Sequence, residues 1–156
     1  MNTLSSMFRL DGQVAIVTGA SKGIGRAISL VFAEAGANVV LAARTLADLE
    51  VVVEEIHARG GYATAVACDV EQAADRERLV ATAVTTYGTI HLLVNNAGGS
   101  GPNDALATSA DEFNAVLARN VTQPFVLTGL AVPHMRAAGG GDVPPSSVAG
   151  GIRVSG

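Results

Sequence analysis

A doubly wound parallel α/β sheet is the fold this sequence predicts, and three observations carry the prediction. Short apolar runs without polar alternation recur along the chain, such as VAIV at 14–17 and NVVLAA at 38–43, as strands covered by helices on both faces require. Stretches between them repeat apolar residues at helical spacing. Where the first run enters the first such stretch stands a glycine-rich turn, TGASKGIG at residues 18–25.

Residues 1–6 are expected to be a disordered lead-in, and 8–12 deliver the chain into a first strand at 13–18. A helix over about 24–35 stops at Gly36, a residue suited to the position just past a helix end, and 38–43 is the second strand. Thr45, with Asp48 three residues on, opens the next helix as a weaker form of the capping box, and Leu46, Leu49, Val53 and Ile56 form its stripe as far as Gly60-Gly61. The third strand is 62–68, the third helix 72–86 with Leu79, Val80, Ala83 and Val84 inward, and the fourth strand HLLVN at 91–95. Right-handed crossovers between such units give a Rossmann-like sheet of order 3-2-1-4. Ser109 and Glu112 then form a full capping box for a helix through Phe113, Val116 and Leu117, and Pro124 predicts a kink or restart just after Asn120. Gly139-Gly140-Gly141 ends that helix. The stretch after it reads Asp142-Val143-Pro144-Pro145, and two consecutive prolines donate no ladder hydrogen bonds, so a fifth strand is doubtful and the far edge of the fourth is expected to lie open.

With 156 residues, 49% of them apolar, the chain predicts one globular domain over residues 7–156. A formal net charge of −4 without a basic run argues against a nucleic-acid surface. The one cysteine, Cys68, excludes an internal disulfide framework and reads as a small buried hydrophobe. No apolar run approaches membrane-spanning length and the first ten residues lack a signal pattern, so no membrane segment and a cytoplasmic location are expected. His57, His91 and His134 have no metal-ligand spacing.

The glycine-rich turn suits an anion because the first turn of a helix has backbone N–H groups without partners and carries the positive end of the macrodipole. Gly19, Gly23 and Gly25 would serve a turn at positive φ, close backbone approach to the ligand, and tight packing of helix on strand. A glycine-rich loop without a ligand is the alternative. The spacing G-x-x-x-G-x-G differs from the commoner G-x-G-x-x-G fingerprint and leaves the ligand open.

Four motifs in order, TGASKGIG, CDV at 68–70, NNAG at 95–98 and Asn120-Val121, resemble the short-chain dehydrogenase/reductase family, and the likeness runs from about Met7 to Gly151. NNAGGSGP is similar to hydroxysteroid dehydrogenase-like members without naming a substrate. The resemblance implies a nicotinamide dinucleotide held by Gly19, Ser21, Lys22, Gly23, Ile24 and Gly25, with Asp69 and Val70 against the adenine and Asn96, Ala97 and Gly98 along the ribose. Asp69 reads equally as a capping or turn aspartate, and Asn96 as a turn residue. At the end of the second strand an acidic residue would bind a ribose 2′-hydroxyl, whereas an arginine accommodates a 2′-phosphate. That place reads Ala43-Arg44, and with Lys22 as a second cation it favours NADP over NAD; taken singly, each is also an ordinary solvated side chain.

The resemblance further implies hydride transfer between nicotinamide and a carbonyl or alcohol carbon of a small molecule, with a tyrosine as acid/base, a lysine lowering its pKa, a serine on the substrate oxygen and an asparagine holding a water. Asn120 matches the asparagine and Ser147 the serine. The tyrosine and lysine have no counterpart, since neither residue follows Ser147, while Tyr62 and Tyr87 lie in the cofactor half. The expectation is therefore an incomplete, truncated enzyme with little or no turnover by itself, a homo-oligomer if complete. A non-catalytic nucleotide-binding remnant is the second reading. A structural module that pairs the helix near residues 121–135 between subunits is the third.

Overall fold

Apolar side chains on both faces of a strand demand helices on both sides, and this is how the computed structural model arranges the chain. It describes residues 8–101, 104, 106–144 and 152–156; the lead-in at 1–6 and Ser147 lie outside them. The elements are β1 (Val14–Thr18), α1 (Gly23–Glu34), β2 (Asn38–Ala43), α2 (Leu46–Ala58), β3 (Tyr62–Ala67), α3 (Ala73–Tyr87), β4 (Leu92–Val94), α4 (Ala110–Leu117), a π-helical turn (Ala118–Thr122), α5 (Gln123–Ala137), β5 (Gly140–Val143) and β6 (Ile152–Ser155). They form one sheet of order β3-β2-β1-β4-β5-β6.

β1 is buried along its whole length. Alternate residues of β2 serve opposite faces: Val40 and Ala42 join Ile16, Leu93, Leu79, Leu127 and Met135, while Val39 and Leu41 join Val17, Leu49, Val52 and Ile56. Period-two alternation thus distributes one apolar strand between two cores, the first under α3 and α5 and the second under α1 and α2. Strands β1 to β4 are parallel, in registers such as Ile16 opposite Val40 and Leu93.

The fifth strand, doubtful in the sequence, forms. Leu92 of β4 faces Asp142 of β5 in parallel, and Asp142 N–H donates to the His91 carbonyl at 2.8 Å. The prolines do not interfere because the strand ends at Val143, one residue before Pro144. Its glycines replace the apolar run: a Cβ on Gly141 would stand 2.6 Å from the His91 carbonyl oxygen and 3.0 Å from Met135 Cγ. A sixth strand then pairs antiparallel on its outer side, Asp142 opposite Arg153. The far edge of β4 is therefore covered, contrary to expectation.

Local signals fared unequally. Ser109 makes its capping box, its hydroxyl accepting from Glu112 N–H and its own N–H donating to Glu112 Oε2 at 2.8 Å. Thr45 caps α2 without a side-chain hydrogen bond; Asp48 is one methylene shorter than the glutamate that closes such a box. The expected restart after Asn120 takes the form of the π-helical turn, in which Gln123 N–H donates to the Ala118 carbonyl five residues back, and Pro124, with no N–H to give, follows at the start of α5. Among the described residues no helix is long and apolar enough to cross a membrane, and no group of acidic, histidine or cysteine side chains could hold a metal.

Candidate active site

The carboxyl ends of β1, β2, β3 and β4 surround an open cleft of about 450 Å³. On its β1 side the chain leaves Thr18 through Gly19, whose φ is 64°, and enters α1 at Lys22, an extended N-cap without a side-chain hydrogen bond. No acidic residue stands in that first turn. The N–H groups of the α1 terminus thus face outward with the positive end of the helix dipole behind them. Gly23 has φ 57° and open space where a Cβ would be, while a Cβ on Gly25 would lie 2.2 Å from the Gly19 carbonyl oxygen. One glycine leaves the approach open; the other lets the helix pack on the turn.

The β4 loop is fastened to that turn by Thr18, which begins the motif and was given no role in the sequence. Its hydroxyl donates to the Val94 carbonyl at 3.3 Å and accepts from the N–H groups of Asn96 and Ala97 at 3.0 and 2.9 Å. Asn96 returns the tie, its Nδ2 donating to the carbonyls of Thr18 and Gly19 at 3.1 and 3.2 Å. These bonds fix two loops, 77 and 78 residues apart in sequence, against each other.

After β3, Asp69 Oδ1 accepts from Glu71 N–H at 3.0 Å, so this aspartate does shape its turn while also lining the cleft. Its own N–H donates to Asp75 Oδ2 at 2.8 Å, and that bond, with Arg78 as a second partner, holds the Asp75 carboxyl below its ordinary pKa. Arg76 is buried, 7% exposed, and donates to the Val70 carbonyl at 2.6 Å, while its Nε has no partner among the described residues. Burial, and next the Asp75 charge, push the Cys68 thiol up to about 11, so it rests as a neutral small hydrophobe in the cleft wall.

Nine of the twelve residues expected to hold a cofactor line the cleft: Gly19, Ser21, Lys22, Arg44, Asp69, Val70, Asn96, Ala97 and Gly98. Gly23, Ile24 and Gly25 are not among its lining residues; Ile24 is 73% exposed and Gly25 is buried beneath the turn. Lys22 and Arg44 make no ion pair among the described residues. Asp48 lines the same cleft from the first turn of α2, a carboxylate the reading of Ala43-Arg44 did not include. Arg119 and Glu71 also line it, joined by an ion pair of 2.6 Å. No local pattern signals that pair, because its partners are 48 residues apart.

Asn120 sits in the π-helical turn and spends its side chain on the loop after β4. Nδ2 donates to the carbonyls of Gly99 and Val116, both at 2.9 Å, and Oδ1 accepts from Gly99 N–H at 3.2 Å. Its side chain thereby holds the loop edge of the cleft.

The family model for short chain dehydrogenase matches residues 13–156. The 7alpha-hydroxysteroid dehydrogenase of Escherichia coli (strain K12) is 41% identical over 137 residues, 88% of this chain and 53% of that one. A solved structure of a 7α-hydroxysteroid dehydrogenase complexed with NADH and 7-oxo glycochenodeoxycholic acid superposes with a TM-score of 0.84 at 38% identity, covering 90% of this chain and 55% of that one. A metagenomic short-chain oxidoreductase in complex with NADP superposes at 0.79 and 39% identity, covering 85% and 60%. The chain spans about half the length of the curated relatives it matches.

Proposed function

Because the chain belongs to the short chain dehydrogenase family, we propose that residues 7–156 bind NADP(H) and serve an oxidoreductase that interconverts a ketone and a secondary alcohol. The nicotinamide supplies the hydride; the protein supplies binding, orientation and proton handling. The observation that carries the reading is the cleft itself, in which Gly19 and Ser21, on the turn that leads into the α1 N-terminus, share a wall with Lys22 and Arg44, two cations without ion-pair partners among the described residues. The pyrophosphate would lie on the N–H groups of α1, where Gly23 leaves room, and Arg44 would take a 2′-phosphate. Asp48 supports a second reading, NAD(H), since a carboxylate at this side of the cleft can accept from a ribose 2′-hydroxyl. Relatives in complex with NADH and with NADP leave both nucleotides in the family's reach.

Asn120 would act at the catalytic end by holding the loop after β4, and Ser147 by polarising the substrate oxygen. Within these 156 residues no tyrosine or lysine follows Ser147. A general acid/base is worth about 10²–10⁴-fold, so the 156-residue chain should bind nucleotide and turn over little or nothing. Steroid ketones are the first substrate class to test, because a similar structure carries one. Phe113, Leu117, Val121 and Phe125 are exposed along α4, the π-helical turn and α5, which supports a homo-oligomer through these helices. The protein is proposed to be cytoplasmic.

Calorimetric titration with NADPH and NADH tests the reading. NADPH should bind the tighter, and Arg44→Asp should reverse the order; equal affinities, or a preference for NADH that Asp48→Asn abolishes, would give the second reading instead.

A further inference from the structure

The cleft is lined by a side chain that neither the glycine-rich turn nor Asn120 accounts for. Arg119 leaves the π-helical turn and donates through Nε to Glu71 Oε1 at 2.6 Å, on the loop after β3. On its other side, Nη1 lies 3.3 Å from where a Cβ on Gly99 would stand, over the loop after β4. The guanidinium therefore lies between two loops, hydrogen-bonded to the first and close beside the second. Its position is stiffened from below, because the neighbouring Asn120 is tied to Gly99 by two hydrogen bonds.

Two features separate this bridge from an ordinary surface ion pair. Both partners line the cleft, beside Asp69 and Val70. Glu71 first, with Asp69 adding a smaller push, raises the Arg119 pKa. The side chains are 38% and 44% exposed, and a pair that wet is weak. Gly99 completes the argument, since a side chain there would press on the guanidinium.

We propose that Arg119, held by Glu71, is a nucleotide-binding residue that closes over the adenine end of the cleft and retains ligands bearing a purine base. The inference rests on the assignment of the cleft to a dinucleotide, with the adenine at Asp69 and Val70. A planar guanidinium suits the role, because it can cover an aromatic ring while keeping its carboxylate partner. Glu71 acts through Arg119 and is a positioning residue.

Release rates of NADPH, adenosine 2′,5′-bisphosphate and reduced nicotinamide mononucleotide, measured by stopped flow on the full 156-residue chain, test it. Arg119→Met and Glu71→Gln should each speed release of the two adenine ligands by about three- to tenfold, the scale expected for one exposed charged contact acting on dissociation. The mononucleotide, which has no adenine, should keep its wild-type affinity in both. The exchanged pair, Arg119→Glu with Glu71→Arg, should recover part of the loss. Either single variant suffices should the other fail to fold, since they sit on different elements. Unchanged release of the adenine ligands, or an equal effect on the mononucleotide, overturns the inference. A wild-type chain that binds neither NADPH nor the bisphosphate overturns the dinucleotide reading, and this inference with it.

Discussion

The two halves of the sheet close themselves to different degrees. From β3 to β1 the strands pair along their full lengths, Val14 opposite Asn38 through Thr18 opposite Ala42, and Asn38 opposite Tyr62 through Ala43 opposite Ala67. Beyond β1 the ladder thins, β4 keeps three residues, and it meets β5 at Leu92 and Asp142 alone. The helices differ likewise. α2 buries Leu49, Val52 and Ile56, whereas α4 buries none of its residues and leaves Phe113 57% exposed, with Phe125 of α5 at 77%. The nucleotide half encloses one core by itself under α1 and α2, shares the other with α5 and β5, and leaves a polar cleft open. The other half exposes Phe113, Leu117, Val121 and Phe125 along one run of helix and takes its order from glycine close-packing and a π-helical turn.

If that contrast is right, the most damaging change lies at the junction of turn and helix. Gly25→Val should cost about 3 kcal/mol or more and abolish nucleotide binding, because its branched side chain would collide with the Gly19 carbonyl oxygen and Asn96, backbone and side chain that are themselves locked. Urea unfolding together with an NADPH titration reads both effects; a stable, binding variant would show that the turn is loose. Next in size, Ile16→Ala, in the middle of β1, should lose about 2–5 kcal/mol, while Phe125→Ser should change stability by less than about 0.5 kcal/mol and reduce self-association. Equal losses at the two sites would erase the difference between the halves. The smallest effect concerns the loop after β3. Asp75 has a folded pKa below 3.8, so its contribution is complete well above that value and disappears as pH falls through the folded pKa. Melting curves of wild type and Asp75→Asn should therefore differ at pH 6 and draw together as the pH falls below 3.8.

Where a feature depends on neighbours along the chain, the residues announced it. The strands of the nucleotide half, the Ser109 capping box and the glycine turn are local matters of periodicity, capping and backbone conformation, and the structure puts them within a residue or two of the expected places. Nine of the twelve anticipated cofactor residues meet in one cleft for the same reason, since motifs at strand ends converge once the strand order is set. β5 was doubted because of Pro144-Pro145, which lie just past its end, and Gly140-Gly141 gave no apolar signal to outweigh them; β6 escaped because four residues beyond a proline segment give periodicity too little to work on.

By itself, then, the sequence determined the alternation of strand and helix, the two-faced burial of β1 and β2, the glycine turn and the family the chain belongs to, all of which rest on residues adjacent or periodic in the chain. Tertiary structure alone decided that Gly141 fits between the His91 carbonyl and Met135, that Thr18 ties the turn to Asn96, that Arg76 grips the Val70 carbonyl, and that Arg119 reaches Glu71. Most of these join residues tens of positions apart, and hydrogen bonds and ion pairs need atoms within about 3 Å, a proximity that only the packed sheet creates.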